Sequence, residues 1–415
     1  MWLTSLLRVL ACATVALAPL EGYLLQVHGQ LAKAVPAALI AVWLISLVRH
    51  RRLPAPHPLH LLLALLAVVL LTTSAIHVAE PFTLEYLVRW LPFLVITVVL
   101  ADVAAREVPV RALLAACVAG AVVAAAGGLI SLFGGELRAT GPLEDPNDLA
   151  FFLVGALPLL VALPGRSRIV LLLLGAVLVA GTAATFSRGG GIALACALAW
   201  LIARRALPVR AVVVTAAVAG VAALVFAGVA QAELARAFQE KSHIAGTNAD
   251  TRMLRWQAAA RMLADSPVVG VGPGGFRQEY AAASHNAELD EQTPVAHNLF
   301  LEVAAELGLP GFAVLIGLVA IGFVASERAL RATTGRHEAV PLALPVTTVS
   351  VAGERASRSV PGRREAVAVQ AALIAVLVAS IFLSEQYYLP LWQLVAIAVA
   401  IEVRARKEGR CAFST

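Results

Sequence analysis

Apolar residues run along this chain in blocks of membrane length, near 3–20, 33–48, 58–77, 88–101, 111–133, 149–164, 169–186, 190–203, 211–230, 308–325, 367–384 and 388–403. Each is close to the roughly 20 residues that a bilayer-crossing helix requires, against about 10 for a barrel strand. Alternation of period two is absent, which excludes a membrane barrel. Lys, Arg, Asp and Glu crowd the block ends, as the cost of a charge in hydrocarbon demands. The pattern predicts an all-α, polytopic helical bundle with about twelve transmembrane helices. Short connections make it one membrane domain over 1–415 with sequential antiparallel neighbours. Hydrophobic residues make up 60% of the chain and charged ones 14%, and the mean hydropathy is +0.85, which excludes a soluble domain and a disordered one.

The larger part of the 32 Lys and Arg falls on one set of connections, which the positive-inside rule makes cytoplasmic together with both termini. Residues 1–20 also fit a cleaved leader with Ala16-Leu17-Ala18 as its small-residue site; its removal leaves eleven spans and the same loop sides. The net charge of +6 is spread over short inner loops, so it reflects topology and excludes nucleic acid as a partner. Cys12, Cys117 and Cys196 lie in spans and Cys411 in the tail, a distribution that offers neither a disulfide framework nor a zinc cluster. A mechanism without metal or cofactor is expected.

Two polar stretches interrupt the pattern. Residues 326–366, on the inner side, are rich in Arg, Ser, Pro and Thr and read as a flexible cytoplasmic loop. Residues 231–298, on the outer side, carry the chemistry. Met253, Trp256, Ala260 and Leu263 recur there at helical spacing, with Asp250 as N-cap and Asp265-Ser266-Pro267 as stop, giving an amphipathic helix. Arg252 and Arg255 sit on its first turn, placed to face an anion or to snorkel from a surface helix. Gly270-Val271-Gly272-Pro273-Gly274-Gly275 lacks the Lys-Ser/Thr pair of a phosphate loop and reads as a turn packing the loop against the bundle.

His297 stands where this loop returns to the membrane, and its near-neutral pKa suits removal of a hydroxyl proton. His243 and His285 have no membrane-facing helix behind them. Asn298 follows directly, and Gly308-Leu309-Pro310-Gly311 comes next. Arg188, in Ser187-Arg188-Gly189-Gly190-Gly191, must sit at the outer boundary, where a phosphate is a natural partner. Arg138 opens another outer turn, in which Asn147 or Asp148 is expected to cap the next helix. Glu385, in the tight turn between the last two spans, is a candidate to orient His297 or, better, to pair with an arginine.

In this order the Arg138-x-x-Gly141 and Pro146-Asn147 turn, Thr185-Phe186-Ser187-Arg188-Gly189-Gly190, Arg252 with Trp256, Gly270-Val271-Gly272 with Phe276, and the His297 motif resemble the O-antigen ligase family of the Wzy-type superfamily. That superfamily also holds O-antigen polymerases and protein O-oligosaccharyltransferases. The resemblance implies a GT-C-like bundle with a large periplasmic loop between the ninth and tenth spans, in a bacterial inner membrane. It implies transfer of a glycan from undecaprenyl diphosphate to a lipid A-core acceptor at the periplasmic face, inverting and metal-independent. Arg188, Arg252 and His297 take the catalytic roles; Arg138, Arg255, Asn298 and Glu385 are candidate substrate contacts. A polymerase shares the donor chemistry and differs in the acceptor. The inner loop is longer than the family pattern, and no C-terminal repeat region of the protein-glycosylating kind follows Arg404-Ala405-Arg406-Lys407. A transporter predicts charges within spans and paired repeats, which the sequence lacks.

Overall fold

A computed structural model describes residues 2–163, 167–229, 250–288, 291–338 and 362–412, and the apolar runs are helices. They are α1 (Trp2–Leu17), the short α2 (Glu21–Val27), α3 (Leu31–Arg49), α4 (Pro58–Ile76), α5 (Thr83–Arg106) and α6 (Val110–Phe133). Next come α7 (Pro146–Ala156), prolonged by a 3-10 segment over Leu157–Ala162, then α8 (Arg168–Ala184), α9 (Arg188–Ala203) and α10 (Val209–Val229). The outer loop contributes α11 (250–265) and α12 (Gly275–Ala283), and α13 (Leu299–Glu338), α14 (Arg363–Ala379) and α15 (Leu389–Ala412) complete the chain. No strand occurs among the described residues. Six of the helical segments are long and apolar enough to cross a bilayer, and four shorter apolar helices accompany them. The chain is a helical membrane protein.

Helix starts follow local chemistry. Asp145 accepts from Asn147 N at 2.6 Å and Pro146 occupies the first helical position, so α7 begins earlier than the Asn147 or Asp148 cap expected from sequence. Ser187 caps α9 through Gly190 N at 3.2 Å. Packing order does not follow chain order. α14 and α15 are buried along most of their length, α14 against α7, α9 and α13, and α15 against α5 and α13. Sequential pairing was the expectation, but helices that are apolar on all sides and rich in alanine pack closely on several neighbours at once and take the centre.

The decisive irregularity is in α13. Gly308 adopts φ 65° and ψ −173°, which breaks the helix into a short piece up to Leu307 and a long piece from Leu309. Pro310 has no N–H to offer the carbonyl of Glu306, and the N–H of Leu309 turns away to Pro267 O at 2.8 Å. Two carbonyls are thereby freed, and the glycine loop takes both: Val271 N donates to Ala305 O at 2.9 Å and Gly272 N to Glu306 O at 3.0 Å. The Glu306 carboxyl in turn accepts from the backbone N–H groups of Gly274 and Phe276 at the start of α12. The glycine-rich run is thus the packing turn that its sequence suggests.

Beyond the break α13 runs to Glu338, so helix occupies 326–338 where a flexible loop was expected; that loop's 339–361 lies outside the described residues. Gly270 has φ 67°, and a β-carbon there would lie 2.3 Å from Glu306 O. Gly270→Val is therefore expected to separate the loop from the broken helix and to cost roughly 1–3 kcal/mol. A thermal shift of the detergent-solubilised protein measures this, and a wild-type melting temperature would speak against the account.

Candidate functional site

The outer ends of α6, α7, α11 and α13 converge on one cluster of charges. Arg138 leaves the α6–α7 turn and donates through Nε to Thr185 O at 2.8 Å and through Nη2 to Asn147 Oδ1 at 3.2 Å. Ala139 N also donates to Ala184 O at 3.0 Å, so this turn is fastened to the α8–α9 turn. Both partners of Arg138 are neutral, and its guanidinium keeps its charge. The charges acting on Arg252 are those of Asp145, Arg138 and Arg255. Those on His297 are Arg255, Arg252, Asp145 and Glu291. Four sequence candidates, Arg138, Arg252, Arg255 and His297, therefore share one electrostatic neighbourhood.

The two arginines of α11 differ sharply. Arg255 is 5% exposed and bonds Glu288 through Nε and Nη2 at 3.1 Å each and Glu291 at 2.9 Å, with the Tyr280 ring 5.9 Å away. Its pKa rises and that of Glu288 falls, because burial works against both and the pairing overcomes it; that of Glu291 falls through the bond from Thr293 N–H and then through Arg255. Arg255 also reaches Val295 O at 3.4 Å, so it staples the segment leading to His297 onto α11. The expectation that it faces an anion gives way to a structural role, since two carboxylates already occupy its fork. Arg252 is half-buried and makes no hydrogen bond or ion pair among the described residues. Burial, above all, lowers its pKa.

The buried face of α11 holds Arg255, Ala258, Ala259 and Met262, whereas Met253 is 52% exposed and Ala260 also faces outward. The face is turned from the predicted stripe of Met253, Trp256, Ala260 and Leu263. In a membrane protein an apolar stripe does not say whether it faces core or lipid.

His297 lies at the mouth of α13 with φ 50°, a left-handed conformation rare for a side chain of its size. Burial, Arg255 and Arg252 depress its pKa to about 4, against the opposing pull of Asp145 and Glu291. It is neutral at pH 7 and free to take a proton. Asn298 does not reach outward: it is 7% exposed and its Oδ1 accepts from Phe300 N at 3.0 Å and Leu301 N at 3.1 Å, capping α13. The cap explains an asparagine at this position without any ligand.

Glu385 departs furthest from expectation. It is 3% exposed beside Asp148, whose Oδ2 accepts from Tyr388 at 3.0 Å, and no arginine meets it among the described residues. Burial and the adjacent Asp148 push its pKa well up. Arg188 is exposed at the start of α9 and unpaired among the described residues; Gly189 and Gly190 pack tightly on Phe382 and Ala150 behind it. It is not among the strongest charges on His297 and adjoins the cluster through the Arg138 bond to Thr185 O. His243 lies outside the described residues, and His285 is exposed. Sequence reasoning passed over Asp145, which is aimed at the cluster by its capping of α7, and Glu302, whose fourth-residue spacing from Asn298 gave the only hint.

Residues 169–316 match the family model described as O-antigen ligase. The match takes in Arg188, Arg252, Arg255, His297 and Asn298 and leaves out Arg138 and Glu385. Comparison with curated proteins returns no match. That segment, about a third of the chain, is similar to the O-antigen ligase family.

The unequal partners of the two arginines give opposite expectations. Arg255→Ala strands Glu288 and Glu291 without their cation and should lower thermal stability, with activity falling in proportion to the folded fraction. Arg252→Ala breaks no bond among the described residues, so it should melt like wild type and yet lose about 10²-fold in rate, as when one preorganised charge donor is removed. Melting curves beside rates for both variants test this; a destabilised Arg252→Ala or a stable, inactive Arg255→Ala would reverse the assignment.

Proposed function

We propose that the chain transfers a glycan from undecaprenyl diphosphate to a lipid A-core acceptor at the periplasmic face of the inner membrane. The observation that carries this reading is the half-buried Arg252 guanidinium, unpaired among the described residues and beside a neutral His297. The similarity of residues 169–316 to the O-antigen ligase family supports a reaction of the ligase and polymerase kind.

In this reading the acceptor hydroxyl oxygen attacks the anomeric carbon while the bond from that carbon to the diphosphate oxygen breaks. His297 takes the hydroxyl proton, and the bonding pair leaves on undecaprenyl diphosphate. Attack from the face opposite the leaving group inverts the anomeric carbon. Charge grows on the diphosphate as the bond lengthens, and the unpaired guanidinium of Arg252, together with Arg138 and Arg188, stabilises that charge where a metal would otherwise act. Diphosphate leaves without being protonated, so no second acid is required.

The same electrostatics regulate the base. A histidine held near pH 4 by burial and, after it, by two arginines is a weak base, but a bound diphosphate offsets the arginines' field and raises its pKa. Base strength then arises with the donor in place. The acid limb of kcat/KM, which reports the free enzyme, is expected near pH 4, and the limb of kcat, which reports the bound complex, at higher pH. Protonation below each limb removes the base, so both rates fall as pH falls. Coincident limbs would show that bound donor does not act on His297.

The reaction itself is tested with purified protein, a glycan on undecaprenyl diphosphate and lipid A-core, in excess EDTA. Core-capped product is expected, and His297→Ala should abolish it while the protein stays folded. Lengthening of the donor without core would move the assignment to a polymerase, and absolute dependence on a divalent ion would defeat the mechanism.

A further inference from the structure

One carboxylate connects the mouth of α13 to the turn between α14 and α15. Glu302 is 3% exposed and lies one turn into the helix that His297 introduces. Its Oε2 accepts from Ala296 N at 2.9 Å and from the Ser384 hydroxyl at 2.5 Å, and its Oε1 accepts from Gln386 Nε2 at 2.5 Å. The adjacent Leu299 N donates to Ser380 O at 2.9 Å and Leu383 O at 2.8 Å, so the same turn grips the helix start as well. His297 lies between these two fixed points, with Ala296 held before it and the cap held after it.

A left-handed backbone at a non-glycine residue costs about 1–3 kcal/mol and persists only where its surroundings over-determine it. The proposed base is one of six described non-glycine residues with positive φ, and the group that fixes the N–H preceding it is Glu302. We infer that Glu302 is a positioning residue for His297: by holding the Ala296 N–H against the 380–388 turn, it keeps the imidazole in its buried place beside the arginines. This inference rests on the reading of His297 given above. What Glu302 supplies is a fixed acceptor oxygen, and its charge is secondary. The carboxamide oxygen of Gln386 has no hydrogen-bond partner among the described residues, so that amide can turn over to meet a glutamine at 302, which would still offer an oxygen to Ala296 N.

Three variants separate this role from alternatives. Glu302→Met keeps the length of the side chain and removes the acceptor. Its kcat should fall about 10²-fold, the penalty of a misplaced catalytic group. The acid limb of kcat/KM should also rise from near 4 toward about 6.5, as the ring leaves the field of Arg252 and Arg255. Glu302→Gln should stay within about tenfold of wild type with the limb unmoved, because one acceptor oxygen remains.

Ser384→Ala, which removes one of the three bonds, should cost about 3–10-fold and carries the test if Glu302→Met does not fold. Glutamine as damaging as methionine would assign the effect to charge and overturn the inference. So would a methionine variant of unchanged rate, or one whose rate falls while its limb stays near 4, since the latter marks structural damage alone. A fully active His297→Ala would instead overturn the functional reading, whatever Glu302 does.

Discussion

A carbonyl freed inside a membrane helix has no water to turn to and must be bonded by the protein itself. The arrangement of the outer face depends on how this chain meets that constraint at Gly308 and Pro310. Because the carbonyls of Ala305 and Glu306 are taken by Val271 N and Gly272 N, the loop is locked to the short first piece of α13 at a fixed register. The hydrophobic cluster of Ala258, Ala259, Met262, Phe276, Tyr280, Ala296 and Ala305 then closes α11 and α12 over it. Without the break, Leu299–Leu307 would simply continue the span. With it, that short piece becomes a rigid platform, and His297 stands at its outer end.

The helical, polytopic character was legible from block length and charge placement, and so was the return of the loop to the bundle just after His297, ahead of the tenth apolar block. Partners were not. Arg252 and Arg255 are equivalent in sequence, and only the return of Glu288 and Glu291, more than thirty residues later, decides that one is compensated and the other open. Glu385 was expected to need an arginine because it is acidic and close to the membrane. It lies instead where burial and the neighbouring Asp148 carboxyl push its pKa well up, and sequence distance gives no sign of that neighbour. The central places of α14 and α15 were hidden for a related reason, since hydropathy measures distaste for water and does not distinguish lipid from protein as the alternative.

The acidic residues of the outer face are disposed so that they subtract little from the positive charge of the cluster. Glu288 and Glu291 are spent on Arg255, Asp148 and Glu385 on each other, and Glu302 on three hydrogen-bond donors. Asp145 alone among the capping acids acts on both Arg252 and His297, and its Oδ1 is engaged with the N–H and side-chain amide of Asn147. Arg138 and Arg252 therefore retain most of their field in a half-buried setting, where a charge interacts more strongly than in water. An excess of cation left deliberately unneutralised is costly to a folded protein. A departing diphosphate is a ligand whose own charge would repay that cost, and it would repay most at the moment when its charge is greatest.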